Sequence, residues 1–182
     1  MSNNDKLLAY IYKLAKLAAN NFGGIMRLTD ILLTDYIKVP LDAKDRDQAI
    51  HTLVGVLSEN DVITDKERTF QAVLEREKIM TTGVGNGIAI PHCKDSACPN
   101  FAVALGIHPK GVNFESIDKK NVHIIFLLVG PENNPGLHIK LLSRISRLMS
   151  NEELRESLMK CKSADEAIEL IEEEENYYFD ID

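Results

Sequence analysis

At 182 residues with 45% hydrophobic content, the chain is the size of one domain with an ordinary core, and no apolar run approaches the roughly 20 residues a membrane-spanning helix requires. Its net charge of −7 is concentrated at the end, where residues 151–182 hold 12 acidic and 3 basic side chains, a balance that does not suit nucleic acid. Cys93, Cys98 and Cys161 are too few for a disulfide framework and, with His92, complete no four-ligand zinc set, so free thiols in a reducing compartment and no metal are expected.

The start, Met1-Ser2-Asn3-Asn4, is polar and no cleavable leader follows, so a cytoplasmic protein without stable membrane insertion is expected. Across residues 5–20, Leu7, Leu8, Ile11, Leu14, Ala15 and Ala18 recur at helical spacing, with Lys6, Lys13 and Lys16 elsewhere on the wheel. This predicts an amphipathic helix that ends near Gly23 and Gly24. Its apolar face is expected to pack on the domain or on a second copy, which would make a homodimer; its cationic face is thin for a membrane surface.

Residues 28–33 read as a helical turn and 36–39 as a short strand stopped by Pro40. Two helices follow. The first, over residues 45–59, repeats Ala49, Ile50, Leu53, Val56 and Leu57; the second opens on Thr64-Asp65-Lys66-Glu67, a capping-box pattern, and runs to about Lys78 with Arg76 in its last turn.

The chain then changes character. Thr82-Gly83-Val84-Gly85-Asn86-Gly87 reads as a loop whose backbone needs unusual angles or close approach. It lacks the GK[ST] of a P-loop, and its GxGxG spacing precedes a strand where a dinucleotide fold needs a helix, so no cofactor is expected. Ile88-Ala89-Ile90 follows and stops at Pro91-His92, which predicts His92 at the end of a short strand.

Residues 101–108 and 122–129 are β-branched apolar runs that predict central strands. Residues 136–149 return to helical period, placing His138, Leu141, Leu142, Ile145, Leu148 and Met149 on one face, with His138 near the helix start. A last helix opens at Ser163-Ala164-Asp165-Glu166, a second capping box, and runs to about Glu174, with the acidic run at 172–175 as a solvated face. Strands alternate with helices, so an α/β fold with a central sheet is expected: a helical extension over 1–27, one domain over 28–175 and an acidic tail over 176–182.

Three side chains stand out chemically. A neutral imidazole is a competent nucleophile near pH 7 and needs no base to activate it, which suits His92 to phosphoryl transfer. Phosphoryl transfer then needs charge stabilisation, from a guanidinium such as Arg76 and from N–H donors at the helix start near His138. Each has a plainer reading: His92 structural, His138 a satisfied core position, Arg76 a solvated helix charge.

Leu74-Glu75-Arg76-Glu77-Lys78 followed by Thr82-Gly83-Val84-Gly85-Asn86-Gly87-Ile88-Ala89-Ile90-Pro91-His92 resembles the enzyme IIA domains of the fructose/mannitol type in the bacterial phosphotransferase system, which include the nitrogen-regulatory IIA proteins. The resemblance continues through Gly111-Val112-Asn113-Phe114, residues 122–128 and Leu137-His138-Ile139-Lys140-Leu141-Leu142, covering residues 28–173. It implies a mixed sheet flanked by helices and a phosphotransferase in which His92 accepts a phosphoryl group from the carrier HPr or its nitrogen-branch relative. His138 would be the second active-site histidine and Arg76 the arginine beside the phosphoryl group. Cys93 stands where such domains often carry glycine and adds the prospect of redox sensitivity. A regulatory role is expected because the chain carries no IIB or membrane IIC domain; a standalone IIA component of a fructose or mannitol system, working with a separate IIB, is the alternative. A non-catalytic binding module of the same fold is a third reading, against which the joint presence of His92, His138 and Arg76 counts.

Overall fold

Among the described residues, five α-helices form, each started by a side-chain cap. In the computed structural model, which describes residues 27–179, helix α1 (Arg46–Glu59) starts where the Asp45 carboxylate accepts the Gln48 N–H, and it buries Ile50, Leu53, Val54 and Leu57. Helix α2 (Lys66–Ile79) is capped by Asp65, which accepts the Arg68 N–H at 3.0 Å. The cap lies one residue past the expected Thr64, because the Thr64 hydroxyl donates to the Ala97 carbonyl instead. Helix α3 (Pro135–Leu148) has Asn134 as cap and Pro135 in its first turn, where a missing N–H costs nothing.

Helix α4 (Glu152–Lys160) was not expected from the sequence. It buries only Leu154 and Leu158, so its apolar signal is two residues long; its start is set by Asn151, which accepts from Glu153 and Leu154. Helix α5 (Ala164–Phe179) begins where Ser163 Oγ accepts the Glu166 N–H, and it continues past Glu174 to Phe179. The helix expected over residues 5–20, and residues 180–182 of the tail, lie outside the described residues.

The sheet is mixed. Strands β1 (Ile37–Lys38), β2 (Gly83–Gly85), β3 (Ile88–Ala89), β5 (Ala102–Val112) and β6 (Val122–Gly130) run in the order β1-β5-β6-β3-β2, and β4 (His92–Lys94) pairs with β6 off this path. The central pair β5 and β6 is antiparallel, while β1 runs parallel to β5, and β3 and β4 run parallel to β6. Residues 102–107 and 124–130 are all buried, so both faces of the central pair are covered. The cover comes from two helical groups, α1 with α2 and α3 with α4 and α5; α1 and α4 both pack on β5 and β6.

Two expectations change here. The glycine-rich segment is a hairpin rather than a loop: β2 pairs antiparallel with β3 across a bulge, and the turn is made by Gly85, Asn86 and Gly87, all at positive φ (91°, 53° and 76°). His92 opens a strand instead of ending one. β3 and β4 lie in succession along β6, with Ile88 opposite Ile124 and His92 opposite Leu128. Pro91 has no N–H to continue the ladder and separates them.

Candidate functional site

Arg76, His92 and His138 come from α2, β4 and α3, and the fold brings all three together. The hairpin ahead of His92 is gripped on its far side by the segment before β6. Gly83 O accepts from Ile117 N, Ser116 Oγ accepts from Gly85 N, and an Asp118 carboxylate oxygen accepts from Asn86 N. The backbone leading to His92 is therefore held before the ring itself is considered.

The half-buried His92 ring has a different partner at each nitrogen. Nδ1 lies 2.7 Å from the Ile90 carbonyl, which can only accept, so Nδ1 carries the proton. Nε2 lies 3.2 Å from Arg76 Nε, an obligate donor, so Nε2 holds the lone pair. Two independent partners thus define one tautomer. Burial pushes the His92 pKa down, the Ile90 bond opposes that, and the Arg76 charge lowers it again, so the ring is neutral at pH 7. Arg76 is also anchored through Nη1 to the Met80 carbonyl at 3.1 Å, which aims its fork along the ring.

His138 is buried, with its ring centroid 5.4 Å from that of His92. Burial first, then the neighbouring His92 and Lys94, push its pKa down to about 4. Among the described residues, its Nδ1 is a buried side-chain nitrogen with no hydrogen-bond partner, so it is not the satisfied core histidine of the plainer reading. The helix start beside it is poorer in donors than expected. Pro135 has none, Leu137 N–H is taken by the Asn134 side chain and His138 N–H by the Asn134 carbonyl, which leaves Gly136 at most. Behind His138 stands Phe101, centroids 6.1 Å apart. Phe101 in turn packs so close to Gly130 that a Cβ there would overlap the ring.

Two features of the site were not read from the sequence. Glu77, placed in a run of solvated charge, is 4% exposed and accepts from Thr82 N at 2.8 Å and from Thr82 Oγ1 at 2.6 Å. The signal was available: Thr69, Val73 and Glu77 are buried at i, i+4 and i+8 of α2. Cys93 is buried and hydrogen-bonded to Cys98; that bond, and then burial, raise its pKa, so it is a poor thiolate rather than a reactive one.

Residues 30–174 match the family model described as "Phosphoenolpyruvate-dependent sugar phosphotransferase system, EIIA 2", and the chain belongs to this family of phosphotransferase system components. It is 35% identical over 146 residues to the PTS system fructose-specific EIIABC component of Bacillus subtilis (strain 168), a match that covers 80% of this chain but only 23% of that protein. It is 33% identical over 143 residues to the nitrogen regulatory protein of Bradyrhizobium diazoefficiens, covering 76% of this chain and 90% of that one. Among solved structures, the nitrogen regulatory protein IIA-Ntr from Neisseria meningitidis aligns with a TM-score of 0.73 at 30% identity, over 78% of this chain and 97% of that one. The family and the mixed α/β fold expected from the sequence are both borne out.

Proposed function

We propose that the chain is a phosphohistidine relay protein: His92 accepts a phosphoryl group from the phosphohistidine of HPr or its nitrogen-branch relative and passes it on. The observation that carries this reading is the tautomer, with Nδ1–H tied to Ile90 and the lone pair on Nε2 facing Arg76. In the forward step the Nε2 lone pair forms the new N–P bond while the donor's N–P bond breaks and its electron pair returns to the donor imidazole. Arg76 moves its Nε–H from Nε2 to a phosphoryl oxygen, and His138 lines the other side of the transferring group. Exposed Ile79 at the end of α2, Met80 just after it and Ile139 beside His138 in α3 support docking of a protein donor.

Within this reading the role is regulatory, acting through partners that distinguish the phosphorylated from the free form. Support comes from the 90% coverage of a nitrogen regulatory relative. The 35% identity to a fructose-specific component supports the second reading, a sugar-system IIA that hands the group to a IIB. The protein works in the cytoplasm in either case; among the described residues no helix is long and apolar enough to cross a membrane, and the three cysteines are free thiols.

The test is incubation with phosphoenolpyruvate, enzyme I and HPr, read by intact-protein mass. One phosphoryl group is expected on the wild type and none on His92→Ala; equal labelling of both would reject the assignment. Pull-downs with phosphorylated wild type against His92→Ala then separate the roles. Identical partners, together with rapid transfer to one sugar through added IIB and IIC, would replace regulation by transport.

A further inference from the structure

Glu77 is a buried carboxylate next to Arg76, yet it touches neither histidine. Both of its oxygens accept from Thr82, one from the backbone N–H and one from the hydroxyl. The Thr82 carbonyl accepts the Ile90 N–H at 3.0 Å, and the Ile90 carbonyl accepts His92 Nδ1–H at 2.7 Å. Adjacent residues at the end of α2 therefore reach the two sides of one imidazole, Arg76 directly at Nε2 and Glu77 through Thr82 and Ile90 at Nδ1.

We propose that Glu77 is a positioning residue for phosphoryl transfer, clamping Thr82 so that the Ile90 carbonyl holds His92 in the Nδ1–H tautomer with Nε2 presented to the donor. The proposal rests on the His92 relay reading for its rate consequence, but not for its tautomer consequence. Each link of the chain is a hydrogen bond of ordinary length between groups with fixed donor and acceptor roles. A surface carboxylate at this position would do none of this. A buried charge is costly in desolvation unless its hydrogen bonds offset it, so an inward-turned Glu77 that served stability alone would be better replaced by an apolar residue beside Val73 in the buried stripe.

The carboxylate also has an electrical effect. Its charge favours the protonated ring, opposing the Arg76 and Lys94 charges. Once Nε2 is phosphorylated, the ring keeps its Nδ1 proton and carries positive charge, which keeps the N–P bond easy to break in the onward step. A negative group behind the Ile90 carbonyl stabilises that form.

The experiment compares wild type, Glu77→Ala, Glu77→Gln and Thr82→Val. The His92 tautomer is read from imidazole nitrogen shifts by NMR, and the rate from single-turnover phosphorylation by phosphoramidate, a small N–P donor that needs no protein partner. Glu77→Ala is expected to lower the Nδ1–H fraction and slow phosphorylation on the order of tenfold, as misplacement of a nucleophile does. Glu77→Gln keeps an acceptor for Thr82 N–H and should restore the tautomer, while the acid limb of its pH–rate profile moves to lower pH because the negative neighbour is gone. Thr82→Val keeps the charge and loses one bond, so it should fall between the two; it decides the matter should Glu77→Ala not fold. Wild-type tautomer and pH profile in the folded variants would overturn the proposal. If the tautomer shifts as expected while His92 takes no phosphate even in the wild type, the positioning role stands and the relay reading fails.

Discussion

Glu77 and Glu175 are the same device at two ends of the molecule, put to different uses. Each closes a buried i, i+4, i+8 stripe, Thr69-Val73-Glu77 on α2 and Ala167-Ile171-Glu175 on α5, and each turns inward to accept from backbone N–H and hydroxyl groups. Glu77 holds Thr82 in the hairpin that leads to His92. Glu175, 1% exposed, accepts from Leu28 N, Thr29 N and Thr29 Oγ1, and so ties the beginning of the described chain to its last helix. Arg27 reinforces this clasp by donating to Asn176. The second carboxylate has an arginine at 3.7 Å, Arg144 of α3, whereas the arginine adjacent to the first is directed at His92. Glu175 thus serves anchorage with a cation facing it, and Glu77 serves geometry with its sequence neighbour committed to His92.

The largest effect is expected from Glu175→Ala, which leaves two N–H groups and a hydroxyl without their acceptor. It should cost about 3 kcal/mol in denaturant titration, while the folded protein phosphorylates at the wild-type rate; a rate loss as large as that of Glu77→Ala would erase the distinction between the two ends. Acid should act on the site end. The His138 pKa is about 4 in the folded protein against about 6.5 unfolded, so between these values the unfolded chain binds more protons. Stability is then full above pH 6.5 and falls as pH drops toward 4, by on the order of 2 kcal/mol. Thermal unfolding of His138→Leu across that range should show a flatter slope, and an unchanged slope would assign the proton to another group. Arg76→Lys keeps the charge but loses the fork, so transfer should slow roughly fivefold with little change in stability. Smallest of all, Arg144→Ala should cost about 1 kcal/mol, because 3.7 Å is a long contact and Glu175 keeps its hydrogen bonds from Leu28 and Thr29; a loss equal to that of Glu175→Ala would mean that the arginine, not the N–H groups, holds the clasp.

What could be read in the sequence was decided by how local the cause was. Helices α1, α2 and α3 each carry several apolar residues at helical spacing next to a capping side chain, and these are properties of a dozen consecutive residues. Helix α4 has two buried residues, and its cap, Asn151, was the one usable sign. The hairpin reads as a loop in sequence because Gly83 and Gly85 have no strand propensity; they join the sheet because β3 pairs with both, the Ile117 N–H donates to Gly83 and Ser116 Oγ accepts from Gly85, and those last two partners are not local. The placing of His92 at a strand end was wrong by one strand for a similar reason, since β4 exists only through β6. Of the site, Arg76, His92 and His138 were singled out by residue type and their association by resemblance, but the tautomer was not, because it depends on where the Ile90 carbonyl points. The acidic run at 172–175 reads as a solvated face, which holds for Glu172 and Glu173 but not for Glu175, whose i+4 link to Ile171 outweighs its charge.

The contact between Phe101 and Gly130 has a consequence for how this sequence is free to drift. Any side chain at position 130 must displace the Phe101 ring, and that ring is itself a neighbour of His138. Positions 101 and 130 are therefore linked in descent although 28 residues lie between them. Alanine at 130 needs the Phe101 ring to move or to be replaced by a smaller residue, and either change alters the packing beside His138.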